Sequence, residues 1–221
     1  MRVSRSICTV GLYCLLLGAC ADTAGDGPAI YVVRPEDTLY SIAWRYGLDF
    51  RDLARWNNLG PDFRITVGEA LILAPSASSA AAPRRPPPSA KMPSRPAPNV
   101  SGMAWDWPTD RAGAPRPVPS GGILLSGQVG QEVRAAAAGR VVYSGTGIRG
   151  YGNLIIIKHG ENLLSAYAHN RDSLVREGQE VSRGEVIGHM GEGAPSKPVL
   201  YFEIRRNGKP IDPLSFLPQV K

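Results

Sequence analysis

Three histidines, His159, His169 and His189, are the only imidazoles in this 221-residue chain, and Cys8, Cys14 and Cys20 are its only thiols. A catalytic zinc needs three nitrogen, sulfur or oxygen ligands plus an open position, and a covalent mechanism needs an activated Ser or Cys beside a base. His159 falls in a Lys-His-Gly turn and His189 follows Gly188 near a strand end, so both are expected to be solvated. A rearranged three-His site is the one metal arrangement they leave open. No GxSxG elbow is present. The stretch GTGIRG, Gly145 to Gly150, has dinucleotide-motif spacing, but the strand-like YGNLIIIK follows where a helix N-terminus would have to receive phosphate, so it is a turn.

The other stretch with chemical content is PVLYFEIRRNGKPIDP, Pro198 to Pro213. Strand alternation puts Leu200, Phe202 and Ile204 on one face, as core, and Val199, Tyr201, Glu203 and Arg205 on the other. Tyr and Arg are enriched among the residues that anchor protein interfaces. A plainer reading of the same face is a solvated Glu203–Arg205 pair with Tyr201 filling a gap.

These residues sit in a segment, 104–218, made of short strands and glycine turns. Strands are predicted at Gly122–Leu125, Glu132–Ala136, Gly139–Tyr143, Asn153–Lys158, Leu163–Ala168, Glu185–His189 and Val199–Arg206, with no helix between them. A mostly antiparallel β domain follows. Upstream, residues 30–74 predict a small β-α-α-β unit. Tyr31–Val33 is strand-like, Asp37 stands as a helix cap, Leu39, Ile42, Ala43 and Tyr46 have helical spacing, and Gly47 ends that helix. A second helix spans Phe50 to Trp56, and Ala70–Leu73 returns as a strand.

Between the two lies a spacer, 75–103. From Pro75 to Ser101 it carries eight prolines, four basic residues and no acid, which cannot form a core and predicts a disordered linker. Some 25 extended residues at ~3.1 Å each reach on the order of 80 Å. Its charges at Arg84, Arg85, Lys91 and Arg95 either favour an anionic wall or lipid or simply keep the spacer soluble. The formal net charge of +6 is not gathered into a stripe with interleaved aromatics, which argues against a nucleic-acid partner and suits an acidic wall or membrane surface.

At the N-terminus, Arg2 and Arg5 precede an apolar run from Ile7 to Ala19 that is shorter than the roughly 20 residues of a spanning helix. Residues 1–19 therefore predict a signal peptide, and 20–29 a short tether. The sequence Leu17-Gly18-Ala19-Cys20 resembles the bacterial lipoprotein box, which implies cleavage before Cys20 and its diacylation. Ala21 stands where an Asp would imply inner-membrane retention, so the expected location is the outer membrane, facing the periplasm. Only Cys20 then remains in the mature chain, and no intrachain disulfide or thiolate metal site is possible.

The motifs YVVRPEDTLYSIAWRYG, DLARWNN and VGEALIL are similar to those of a LysM module. The resemblance implies binding of peptidoglycan, with a glycan groove between Asp37-Thr38-Leu39 and the loop around Arg64-Ile65. AAAAGRVVYSG, RGYGNLIIIKHG, LSAYAHN, LVREGQEVSRGEVIGHMG and LYFEIRRNGKPIDPLSFLP resemble, in order and spacing, the LytM or lysostaphin-like zinc endopeptidases. Members of that family hold zinc through HxxxD and HxH motifs, which fall here on Ser120 and Leu124 and on Val199 and Tyr201. His169 matches the family's accessory His. The resemblance thus implies a degenerate domain with no catalytic residue, metal or cofactor.

The vacated cleft, with Tyr167, His169, Tyr201, Glu203 and Arg205, is then a candidate binding face for a protein partner. The combination of lipobox, LysM and emptied LytM domain resembles the NlpD-type murein hydrolase activators. It implies activation of a periplasmic N-acetylmuramoyl-L-alanine amidase during septal wall splitting and cell separation. The alternatives are a passive tether between outer membrane and wall, or a residual peptidoglycan endopeptidase.

Overall fold

The computed structural model describes residues 29–74, 103–110, 113–193 and 197–219. The signal peptide, Cys20, most of the tether and the linker residues 75–102 lie outside these described residues.

The N-terminal unit runs β1 (Ile30–Val32), α1 (Leu39–Tyr46), α2 (Phe50–Trp56) and β2 (Ala70–Ile72), with β1 and β2 antiparallel and Tyr31 opposite Leu71. Leu39, Ile42, Ala43, Leu53 and Leu71 fill its small core. The first helix is capped by Thr38 rather than by Asp37. Thr38 Oγ1 accepts from the Ser41 amide at 3.1 Å while Ser41 Oγ accepts from the Thr38 amide at 3.0 Å, a reciprocal box. Asp37 is held instead by the Arg34 amide, the Tyr31 hydroxyl and the Arg45 guanidinium. The helix ends at Gly47 in the left-handed region, φ 66°, as the Gly predicted.

Among the described residues the C-terminal domain is β apart from a 3-10 turn at Pro213–Ser215. Its strands are β3 (Arg116–Pro117), β4 (Ile123–Ser126), β5 (Glu132–Arg134), β6 (Gly139–Gly145), β7 (Asn153–His159), β8 (Leu163–Ser173), β9 (Glu180–Val181), β10 (Val186–Met190), β11 (Glu192–Gly193), β12 (Lys197–Arg206) and β13 (Lys209–Ile211). The main path is β3-β4-β12-β8-β7-β6-β9, antiparallel, with β10 joining the far end of β8 to β5. Strand β12 pairs with β4 on one side and with β8 on the other.

One face of this sheet packs Leu200, Phe202, Ile204, Ile155, Ile157 and Tyr167 against Trp105, Leu125 and Ile187. His159 belongs to this interior and is not the solvated turn residue that its Lys-His-Gly context predicts. It is 1% exposed, because the register that sets Lys158 outward turns its neighbour inward. Its Nδ1 donates to the Ala138 carbonyl at 2.8 Å, and Nε2 faces the Ser165 hydroxyl at 2.7 Å. Burial pushes the imidazole from 6.5 down to about 4, so it is held neutral. His189 stays half-exposed with Nδ1 2.7 Å from the Asp172 carboxylate.

The opposite face, through Val142, Leu154, Ile156, Leu164 and Ala166, is covered by the N-terminal unit, whose core is continuous with it. Polar contacts pin this junction at its edges. Thr38 Oγ1 donates to the Val142 carbonyl at 3.2 Å, Arg45 to the Gly147 carbonyl at 3.2 Å, and Arg51 to Asn207 Oδ1 at 2.7 Å. Lys158 lies 5.3–6.0 Å from the ring centres of Tyr40, Phe50 and Phe63, a cation over three aromatic rings. Arg205 stacks on Trp44 with 3.6 Å between guanidinium carbon and ring centre, and donates to the Trp44 carbonyl at 2.7 Å. Its Nε also donates to Glu203 Oε1 at 2.6 Å, and the Glu203 side chain is fully buried.

Two consequences can be measured. Between pH 6.5 and about 4 the unfolded chain binds a proton at His159 that the folded chain refuses, so stability is fully present above pH 6.5 and falls as pH drops through that window. The loss is on the order of 3 kcal/mol, and urea unfolding of His159→Gln should show a flatter acid limb than the parent. Second, Arg205→Ala strands the Glu203 anion and should cost about 3–5 kcal/mol, with part recovered in the double variant carrying Glu203→Gln. A loss below about 0.5 kcal/mol in the same titration would mean that Glu203 reaches water.

Candidate functional site

Strand β12 is central to the site because both neighbours present their residues to it in register. Leu124 of β4 and Ala168 of β8 lie on either side of Tyr201, and Ser126 lies opposite Val199. Residues directly opposite across antiparallel strands share a face. The loop before β4 is closed by the Val118 and Gly122 backbones, and this brings Ser120 over the strand, its Oγ 3.0 Å from Tyr201 Oη. A Cβ at Gly122 would stand 2.8 Å from the Tyr201 ring, so only glycine lets the phenol lie there. Ser120, Leu124, Val199 and Tyr201, far apart in sequence, thus meet in one place beside His169.

A line of hydrogen bonds runs through this place. Tyr201 has one phenolic proton and gives it to Glu203 Oε2, so Ser120 donates to the Tyr201 oxygen. Glu203 then receives Arg205, which reaches the Trp44 carbonyl. Burial and the adjacent Glu203 charge push the Tyr201 phenol far above its ordinary range, so it stays neutral. Beside the line lie two adjoining hollows of about 290 and 390 Å³ that share Leu124, Gly150 and His169. Tyr151 and Tyr201 wall the smaller one, their ring centres 5.6 Å apart. Burial lowers the His169 imidazole.

These residues do not fit a zinc ion. Leu124 and Val199 have no donor atom, and the hydroxyls of Ser120 and Tyr201 are engaged with each other and with Glu203. A phenolate ligand would require the proton that Tyr201 is most strongly held to keep. His169 is the one imidazole at the cleft, and one ligand does not make a catalytic centre.

Tyr167 is not part of the cleft. It pairs with Phe202, so its ring points into the other core, where its oxygen accepts from the Ala136 amide at 2.8 Å, and burial pushes the phenol up to about 12. Simple alternation would send His169 the same way as Tyr167. His169 instead has φ 64°, which interrupts the alternation and turns its ring toward Tyr201, 6.4 Å between centres. Glu203 and Arg205 share the Tyr201 face as expected, but they are covered by Trp44 rather than open. Sequence reasoning missed Tyr151 and Trp44. Both lie within aromatic motifs, YGN and IAWRYG, with nothing local to show that they would meet at 6.5 Å.

Of the expected glycan-site residues, Asp37, Thr38, Arg64 and Ile65 line one wall of a cleft of about 550 Å³. Leu39 is buried beneath it. Arg140 and Glu177 of the C-terminal domain form part of the other wall, which no local pattern in residues 30–74 announces.

Residues 31–74 match the LysM domain family, and residues 118–213 match Peptidase family M23. The chain is 38% identical to the lipoprotein NlpD/LppB homolog of Pseudomonas aeruginosa, over 93% of this chain and 89% of the relative. It is also 38% identical to the uncharacterized lipoprotein YgeR of Escherichia coli, over 92% and 89%. To the murein hydrolase activator NlpD of Salmonella typhimurium it is 36% identical, over 87% of this chain and 69% of the relative. On this similarity over nearly its whole length, the chain belongs to the NlpD family of lipoproteins, in which a LysM domain is joined to a Peptidase family M23 domain.

Proposed function

We propose that the chain is a non-catalytic activator of a periplasmic N-acetylmuramoyl-L-alanine amidase, acting in septal wall splitting and cell separation. Cys20 holds it by lipid to the periplasmic face of the outer membrane, the LysM module binds peptidoglycan, and the degenerate M23 cleft receives the amidase. The observation that carries this reading is the line from Ser120 through Tyr201 and Glu203 to Arg205, which commits the hydroxyls at two of the positions where the family resemblance would put metal ligands to each other and to Glu203. A relative named as a murein hydrolase activator is consistent with it. The part of the cleft open to a partner is the rim of Tyr151, His169 and Leu124, next to exposed Lys197 and Arg116. An aromatic wall beside exposed cations suits an acidic, partly apolar protein surface.

Binding stimulates only if the active conformation of the amidase is preferred. Shifting an equilibrium from 1:99 to 99:1 takes about 5.5 kcal/mol of differential affinity, which an interface of standard size can supply.

The direct test is dye release from labelled sacculi by the full chain, by a zinc amidase from the same cell, and by both. Release well above the amidase alone, and none from the chain alone, is expected. Release by the chain alone would identify a hydrolase, and no gain in the mixture would leave a passive wall tether. In the same assay Tyr151→Ala and His169→Ala should each raise the concentration for half-maximal stimulation, by about 30-fold if the residue anchors the contact with ~2 kcal/mol. Thermal unfolding should stay within a few degrees of the parent. Unchanged stimulation in both variants would place the contact elsewhere on the domain.

A further inference from the structure

The N-terminal module does not sit away from the sheet. It covers the face of β6, β7, β8 and β12 that continues directly from the open cleft, and Tyr151 is shared between the two, touching Tyr201 on one side and Trp44 on the other. Beneath the module are Val142, Leu154, Ile156 and Leu164, with Arg205 among them. Uncovered, this would be a contiguous apolar surface with an arginine at its edge, the composition of a partner-binding patch.

The junction itself has two kinds of contact. Its centre is apolar, but its fixed points are an arginine on an indole ring, a lysine over three aromatic rings and four hydrogen bonds to carbonyl or amide oxygens. Opening would return the Lys158 ammonium and the Arg205 guanidinium to water, which offsets part of the cost of exposing the apolar centre. At one point backbone approaches backbone closely. Gly208, φ 74°, lies in the β12–β13 turn, and a Cβ there would collide with the Leu48–Asp49 peptide of the module.

Resting on the activator reading above, we propose that the LysM module is a removable cover. It occupies the sheet face adjoining the cleft, and the amidase engages Tyr151, Arg205 and the apolar face fully only after the module has lifted. The structure described is then the restrained form. A partner whose binding-competent form is a minor fraction binds more weakly by that fraction, so a population of one in ten open costs about tenfold in observed affinity.

The test uses the full chain with a wedge at the close approach, Gly208→Leu, and a control at Gly160→Leu. Gly160 has a comparable φ of 66°, and a Cβ there would meet nothing within 4 Å, so the control carries the turn strain without the collision. Lys158→Ala, which removes the cation from the three rings, is a second and independent way to loosen the junction. Opening is read from the rate of Lys158 acetylation in the wedge and control variants, and function from the half-maximal concentration for amidase stimulation. Faster acetylation in the wedge variant, with about 3- to 10-fold lower half-maximal concentration in both the wedge and Lys158→Ala, is the expected result. The control should match the parent.

Faster acetylation with stimulation unchanged or weaker would overturn the cover while leaving the activator reading intact. A wedge that changes neither readout, with Lys158→Ala also silent, would show two domains fixed as one body and would equally overturn it. If no form, the parent included, stimulates the amidase, the activator reading fails and the cover falls with it.

Discussion

Glu203 lies in the middle of β12 with its carboxylate out of reach of water, and a buried anion persists only where its charge and lone pairs are met. Arg205 meets the charge at Oε1 and Tyr201 meets Oε2. Each partner is in turn fixed by something further out, Tyr201 by Ser120 and Arg205 by the indole and carbonyl of Trp44. The loop before β4, the central strand and the N-terminal module are therefore tied by one ionised group. Positions 201, 203 and 205 act as a unit, so their contributions should not add.

Much of the architecture was legible because it rests on local patterns. The period-2 alternation of Leu200, Phe202 and Ile204, the Gly47 stop and the helix over Phe50–Trp56 are each a residue type in a context that leaves one outcome. The cap is ambiguous in the sequence because Asp37 and Thr38 are both good capping residues and adjacent. What separates them is Ser41, which completes the reciprocal box with Thr38, while Asp37 is claimed by Tyr31 and Arg45. The choice between them depends on a partner three residues on one side and side chains from two other elements.

The candidate site was legible in part for a similar reason. Which residues line β12 follows from alternation, but which strand residues stand beside them depends on register. Tyr167 and His169 are two apart and should share a face. The left-handed backbone at His169 breaks that parity, and Tyr167 goes to the core while His169 goes to the cleft. His159 shows the same limit in reverse, since a Lys-His-Gly sequence carries no sign that Ala138 and Ser165 wait for both ring nitrogens. Burial of Glu203 and Arg205 was not visible at all, because it comes from a module more than 100 residues earlier in the chain.

The hydroxyl and carboxylate line also bears on how readily the domain's chemistry could change over generations. Placing an imidazole at 201 would replace the one phenolic oxygen that both donates to Glu203 and accepts from Ser120 with two nitrogens on different sides of a smaller ring, so one of the two contacts is lost or rebuilt. Placing a carboxylate at Leu124, directly opposite residue 201, would set a second anion near Glu203 and raise the cost of ionising either. An imidazole at 199 alone would add one donor and no centre. The single substitutions at 201 and 124 thus each disturb the buried line without completing a set of metal donors. The buried line held under Trp44 thus limits which side chains positions 124, 201 and 203 can accept one at a time.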